Sequence, residues 1–324
     1  MKSVDKRNVF FKEFHNEMKK MFRLKSALMI VGILAILLGL IAILNCKKAD
    51  ENWRETLSAE ILKNQAMAKD LMEYDDTGEL AKIFDDQNKL NQYRLDHNLQ
   101  PRMTIFEFAY DHANGVTIVL VLIVAVMASV SLGGEYQSGT IEHLITRNVS
   151  RNVTMAAKLL VLLMLTFYVT FSFLIISLTV SFPLLIGNGL SVTYLTLNET
   201  GNIIETNLLL NSGANLTLTI IKLLTCALFS LFVSAIVKNQ TVTVVIALGF
   251  LVIGSLLSSF VPIPQDYSFI ILNNCLDNID GYISTLFRWS DPHLLYNIFT
   301  ALVYDVIFIC STWLIFNNNP LKGR

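Results

Sequence analysis

The sequence predicts an all-α integral membrane protein with six transmembrane helices. Three observations carry that expectation: a high apolar fraction, its concentration into long runs, and the sidedness of the basic residues between them. Apolar residues make up 53% of the chain and charged residues only 16%, too little charge to cover the surface of a soluble domain of this length. The runs match the bilayer. A hydrocarbon core of roughly 30 Å takes about 20 helical residues, and in lipid a helix satisfies its own backbone hydrogen bonds. Strands of a membrane barrel would alternate apolar and polar residues, and these runs do not.

In order, the spans are expected at Ser26–Asn45, Gly115–Leu132, Leu159–Gly187, Leu216–Val237, Thr241–Val261 and Leu294–Phe316. The third is longer than one crossing needs, so Phe182, Pro183 and the residues up to Gly187 are expected to tilt, kink or leave the membrane. A long basic stretch precedes the first span, and Leu44-Asn45-Cys46-Lys47-Lys48 is not a small-x-small cleavage site. That span is therefore expected to stay as an anchor.

Lys and Arg in short loops are held on the cytoplasmic side. The segment 1–25 carries Lys2, Lys6, Arg7, Lys12, Lys19, Lys20, Arg23 and Lys25. The same side receives Arg147, Arg151 and Lys158 in the loop 133–158, Lys238 in the turn 238–240, and Lys322 and Arg324 in the tail 317–324. On the other side, 188–215 has no Lys or Arg and 262–293 has only Arg288. Both termini are thus expected in the cytoplasm of a plasma-membrane protein.

Outside the spans the chain offers two pieces with patterns of their own. Phe10, Phe14, Met18 and Met21 or Phe22 recur at helical spacing among Lys12, Lys19, Lys20 and Arg23, which predicts an amphipathic helix along the inner membrane surface. That helix either sets topology as a positive anchor or docks a cytoplasmic partner. The outer loop 46–114 reads as polar helices, with Leu57, Ile61 and Leu62 in the first and Leu80, Ile83, Phe84 and Tyr93 in the second.

Enzyme chemistry finds little support. His15 and His143 are not part of an H-E-x-x-H pair, and His97, His112 and His293 are scattered in outer loops. No Gly-Ser nucleophile elbow and no paired-carboxylate motif stands out. Cys46, Cys226, Cys275 and Cys310 form no metal-ligand spacing; Cys46 and Cys275 share the outer side, which permits a disulfide without requiring one. The basic face of the N-terminal helix matches anionic lipid better than nucleic acid.

Two charges fall inside spans, where each costs about 2.5–3.5 kcal/mol on insertion scales. Lys222 sits near the outer end of the fourth span and can snorkel to the surface. Asp305 lies near the middle of the sixth. It leaves four readings open: pairing with Lys222, facing a pathway, binding a cation, or being held neutral by burial.

The most informative stretch joins the second and third spans. Gly133 and Gly134 are expected to release the chain from the span. Ile141, Leu144 and Ile145 then give a short helix one apolar stripe at i, i+3, i+4. Arg147, Ser150 and Arg151 close that helix and open the next, and Lys158 marks where the third span enters lipid. A short amphipathic helix in an inner loop needs a surface to receive its stripe.

At these residues the chain resembles the permease subunits of type-2 ATP-binding-cassette exporters. Their second and third spans are joined by a Glu-x-x-x-Gly-Thr segment, a hydrophobic coupling helix, a Pro-x-Ser-Arg turn and a Lys two helical turns on. Glu135, Gly139, Thr140, Glu142, Ser150, Arg151 and Lys158 match in order and spacing, with Asn148 standing where the family commonly has Pro. The resemblance extends to the layout: the amphipathic helix before the first span, the turn Lys238-Asn239-Gln240 between the fourth and fifth, and an outer segment, 262–293, that the resemblance implies is partly helical.

The resemblance implies a mechanism divided between chains. The sequence has no G-x-x-x-x-G-K-[ST] phosphate loop, so ATP and Mg would be bound by separate ATPase subunits and this chain would hold no cofactor. Two permeases, identical or related, would form the pathway between them. Ile141, Leu144 and Ile145 would sit in a groove of the ATPase, with Glu135, Glu142 and Arg151 as polar contacts or helix-end clamps. Long apolar spans favour an amphipathic cargo such as a peptide antibiotic, drug or lipid. The alternative is a membrane sensor or immunity protein whose outer loop binds a ligand without pumping.

Overall fold

The computed structural model describes residues 6–45, 52–72, 79–101, 103–140, 150–197, 202–260, 271–284 and 292–318. These fold into helices α1 (Lys6–Met21), α2 (Leu24–Asn45), α3 (Trp53–Met72), α4 (Glu79–Asp96), α5 (Ile105–Asp111), α6 (Ala113–Gln137) and α7 (Arg151–Leu185). A hairpin of strands β1 (Thr193–Leu197) and β2 (Ile203–Asn207) follows, then α8 (Leu208–Val237), α9 (Gln240–Phe260), α10 (Leu272–Ser284) and α11 (Pro292–Asn318). Among the described residues, five helices are long and apolar enough to cross a bilayer: Leu24–Leu44, Gly115–Gln137, Arg151–Asn188, Leu208–Val237 and His293–Asn318. They coincide with five of the six expected spans. Of the remaining expectation, Thr241–Val261, all but Val261, which lies outside the described residues, falls on the apolar helix α9.

The chain divides into two compact units. The first gathers Met1–Ile36, His112–Ile176 and Gly213–Arg324. In it α6 packs on α9 and α10, and α10 packs on α11. Leu218, Cys275, Ile279, Leu294 and Ala301 form a buried cluster joining α8, α10 and α11. Each of the long helices is apolar nearly all round, so burial picks out their inward faces where periodicity could not. On α6, for example, Leu120, Val124, Ala128 and Leu132 are buried while Ile118 and Val130 are exposed.

The second unit gathers Leu37–Asp111 and Ser177–Ser212. Here α3 packs on α4, and Leu57 and Ala68 of the first and Ala81 of the second are buried. Thr104 and Glu107 close the start of α5 as a reciprocal capping box: the Thr104 amide donates to Glu107 Oε2 and the Glu107 amide to Thr104 Oγ1, both at 3.2 Å. Asn98 ends α4 in the left-handed region at φ 56° and accepts a hydrogen bond from Arg54 of α3. The antiparallel hairpin, with Thr193 opposite Asn207 and Leu197 opposite Ile203, departs from the all-α expectation. Its strands are β-branched and aromatic (Thr-Tyr-Leu-Thr-Leu and Ile-Ile-Glu-Thr-Asn), and this composition favours pairing over helix. Asn207 then caps α8, its Oδ1 accepting from the Leu209 amide at 2.9 Å. As a result α8 begins before the expected Leu216.

Gly133 and Gly134 do not release the chain as expected; α6 continues through them to Gln137. Their use is close approach. A Cβ at Gly133 would meet Ser234 Oγ at 2.9 Å and Gln240 Cα at 3.1 Å, so only glycine lets α6 press against the turn between α8 and α9. In that turn Lys238 takes φ 57° and Asn239 caps α9, its Oδ1 accepting from the Val242 amide at 3.1 Å. The Lys238 ammonium lies 5.7 Å from the ring centroid of Tyr136 on α6.

Candidate functional site

The Glu-x-x-x-Gly-Thr residues each acquire a separate task at the end of α6. Gly139 is the stop: at φ 68° it ends the helix in the left-handed region, and its amide donates to the Tyr136 carbonyl at 3.2 Å. Thr140 turns back over that end, its hydroxyl reaching the Glu135 carbonyl at 3.4 Å and Ser138 Oγ at 3.0 Å. Among the described residues nothing lies within 4 Å of a Cβ built at Gly139, so what a substitution meets there is strain in the backbone. Gly139→Ala is expected to cost about 1 kcal/mol and Gly139→Asn less, because Asn tolerates this region. Thermal unfolding of the two variants in detergent measures the order.

Glu135 points inward, into a closed ring of four charges. Lys158 of α7, 0% exposed, places Nζ 2.7 Å from Glu17 Oε2, 2.8 Å from Glu135 Oε2 and 3.2 Å from the Ser131 carbonyl. Lys20 places its Nζ 2.6 Å from Glu17 Oε1 and 2.8 Å from Glu135 Oε1. The Lys158–Glu135 approach is an ion pair at an angle too oblique for a directed hydrogen bond, since Glu135 Oε2 has no hydrogen-bond partner among the described residues. Each carboxylate is thus held between two ammonium groups, and Lys158 combines hydrogen bonds to Glu17 and the Ser131 carbonyl with its ion pair to Glu135. Lys158 faces the protein, two turns after the start of α7 at Arg151.

The ring joins three helices that the sequence separates widely. Glu17 and Lys20 come from α1, Glu135 from α6 and Lys158 from α7. Burial disfavours the ionised form of Glu17, but the Lys158 ammonium, with Lys20 beside it, outweighs that and holds the carboxyl below its ordinary value. Burial likewise pulls Lys20 down, and Glu135 and Glu17 together raise it above the ordinary lysine value. Glu17 is absent from the site that the sequence predicts. The expected apolar face of α1 is Phe10, Phe14, Met18 and Met21 or Phe22; of these Met21 is buried, and the buried edge reaches it through Glu13 and Glu17 at i, i+4, i+8. That spacing of acids was the available signal.

The elbow after α1 is pinned to α7 as well. Phe22 stands edge-on to Tyr168 at 5.2 Å between ring centroids, and Tyr168 donates to the Ala27 carbonyl at 3.3 Å. At the start of α7, Ser150 accepts the Val153 amide at 3.0 Å through its carbonyl. Arg151 Nη1 donates to the Asn317 carbonyl at 2.6 Å, in the last turn of α11, where a cation meets the negative end of the helix dipole. Asn152 Oδ1 accepts from both Trp313 Nε1 and Asn317 Nδ2. Ile141, Glu142, Leu144 and Ile145 lie outside the described residues, as do Asn148 and Cys46.

Neither charge within the spans reaches the surface. Lys222 is buried on α8, against the expectation that it snorkels. Asp305 is 4% exposed, and neither carboxyl oxygen has a hydrogen-bond partner or an ion pair with Lys222 among the described residues. Thr225, its polar neighbour on α8, donates its hydroxyl to the Ile221 carbonyl at 3.1 Å. Nearby, Cys275 donates to the Asn297 carbonyl at 3.1 Å and Asn278 to Asn297 Oδ1 at 3.3 Å. An unsatisfied buried polar group costs about 1–3 kcal/mol. Asp305→Leu is therefore expected to raise thermal stability or leave it unchanged, as a melt in detergent will read.

Apolar helices long enough to span a bilayer, tied at one end by a buried ring of charges, define a multi-pass membrane protein. Over residues 11–313 the chain matches the family described as ABC-2 family transporter protein, and it belongs to that family of membrane-embedded transport subunits. A relative from Bacillus subtilis (strain 168), described as uncharacterized protein YhcI, is 23% identical over 317 residues, which span 95% of this chain and 98% of its own length.

Proposed function

We propose that this chain is one half of the membrane pathway of an exporter, with six spans, α9 being the fifth, and both termini in the cytoplasm. A second permease, identical or related, supplies the other half, and separate ATPase subunits bind ATP and Mg. The carrying observation is the charge ring of Glu17, Lys20, Glu135 and Lys158, which lies at the two ends of the segment 133–158. A force applied between α6 and α7 at that segment reaches α1 through bonds already in place, and reaches α11 through Arg151. The apolar stripe Ile141, Leu144 and Ile145 is the surface that receives the force from the ATPase, with Glu142 as its polar neighbour. Cargo is amphipathic, a peptide antibiotic, drug or lipid, in keeping with spans that carry few charges.

Co-expression with neighbouring genes and purification in mild detergent tests the division of labour. A stoichiometric ATPase that is lost on Leu144→Asp or Ile145→Asp, with the melt of the permease unchanged, is the expected result. Binding that survives both changes overturns the docking stripe, and the absence of any ATPase favours a sensor that does not pump. Asp305 is assigned to a water-filled pathway or an interior that opens during transport; transport unaffected by Asp305→Leu removes it from that role.

A further inference from the structure

A cavity of ≈ 660 Å³ lies beside the charge ring, where α1 bends into α2 and faces the end of α6. We infer that this cavity holds the headgroup of an anionic phospholipid, with Arg23 as the cation that receives the phosphate. The inference rests on the membrane-interface placement of α1 within the reading above, and it requires no ATPase.

Charge is the first argument. Glu17, Lys20, Glu135 and Arg23 all line the cavity. Both carboxylates are cancelled by ammonium groups from Lys20 and Lys158, so Arg23 is the uncancelled charge. Arg23 is exposed and its guanidinium makes no hydrogen bond or ion pair among the described residues; the Ser26 hydroxyl one turn further on, half-buried, makes none either. A guanidinium fork and a hydroxyl with unspent donors suit the oxygens of a phosphodiester.

Shape and position supply the second. The volume falls within the range of small-molecule sites, about 300–1,000 Å³. Met21, Met127 and Val130 give it apolar walls, which a hydrated free anion would not favour but the glycerol and first acyl carbons of a lipid would. Arg23 occupies the break between a surface helix and the first span, the depth at which headgroups lie. Lys25, two residues on, is also exposed but does not line the cavity, and so separates a built site from general attraction.

Native mass spectrometry of the full chain, delipidated in detergent and titrated with phosphatidylglycerol or phosphatidylcholine, tests the site. One basic residue near a membrane contributes about 1 kcal/mol by diffuse attraction, roughly five-fold; the built site predicts that Arg23→Ala weakens phosphatidylglycerol binding by ~10-fold or more while Lys25→Ala leaves it unchanged. Val130→Trp, which fills the cavity and keeps every charge, is expected to weaken it as well. Equal retention of the two lipids, or equal losses from Arg23→Ala and Lys25→Ala, overturns the proposal. So does inorganic phosphate that binds alone with the same dependence on Arg23, because the ligand is then a free anion. Loss of ATPase capture with lipid binding intact would count against the transport reading only.

Discussion

Replacing Lys158 with Met is expected to destabilise the protein by about 3–5 kcal/mol, the cost of leaving buried carboxylates without a partner. The residue is fully enclosed, hydrogen-bonded to Glu17 and the Ser131 carbonyl and ion-paired with Glu135. Without it, Glu17 and Glu135 face each other with Lys20 alone between them. Lys20→Met is expected to cost far less, since the Lys20 side chain is 43% exposed and water replaces part of what it supplies. The double variant Glu17→Gln, Lys158→Met should recover part of the loss, because one carboxylate and one ammonium are removed together. Denaturant melts in detergent of the parent, Glu17→Gln, Lys158→Met and the double variant give the cycle, with Lys20→Met beside them; equal costs for Lys158→Met and Lys20→Met would show that the ring is not the source.

The same ring sets a pH window. Glu17 is held below the ordinary carboxylate value, so its stabilisation is complete above that value and is lost as pH falls through the lowered one. Lys20 is raised, so its stabilisation is complete below the ordinary lysine value and is lost as pH climbs through the raised one. The ring is therefore whole across neutral pH and opens at both extremes. In Lys158→Met the acid flank should move toward neutral, since Glu17 then lacks the ammonium that chiefly depresses it.

Gly133→Leu is the second large effect, expected near 3 kcal/mol, at the upper end of the overpacking range of about 1–3. The nearest obstacle to a side chain is Ser234 Oγ, which can turn aside; the next, 3.1 Å away, is the backbone of Gln240, which cannot. Gly133→Ala should cost about 1 kcal/mol, partly relieved by Ser234→Ala. Gly134→Ala serves as the control. Its closest neighbour is the flexible end of Gln240 at 3.3 Å, and it should be nearly neutral in the same melts.

The positions of the helices are legible in the sequence because bilayer thickness imposes a length, and apolar runs of that length seldom arise for any purpose but crossing it. The motif between α6 and α7 is legible as a location. What each residue does there is not, because Glu17 lies 141 positions from Lys158 in the chain and their meeting depends on which faces of α1 and α7 turn inward. A span that is apolar on every side carries no such information; for that reason Lys222 and Lys158 read as surface residues in the sequence, and the fold buries both. The Gly133-Gly134 pair is ambiguous in another way. Glycine serves flexibility and close approach equally well, and only the nearness of Gln240 decides between them. The hairpin at 193–207 did have a readable signal, two short β-branched segments flanking Asn198-Glu199-Thr200-Gly201.

A closed ring of two anions and two cations also constrains descent. Loss of any single member leaves a charge stranded in the interior, whereas loss of an opposite pair, or its exchange for apolar residues of similar volume, is close to neutral. Positions 17, 20, 135 and 158 should therefore change in concert across relatives, an anion departing only with a cation. Position 23, outside the ring, is free of that coupling and should vary according to the lipids of each host membrane.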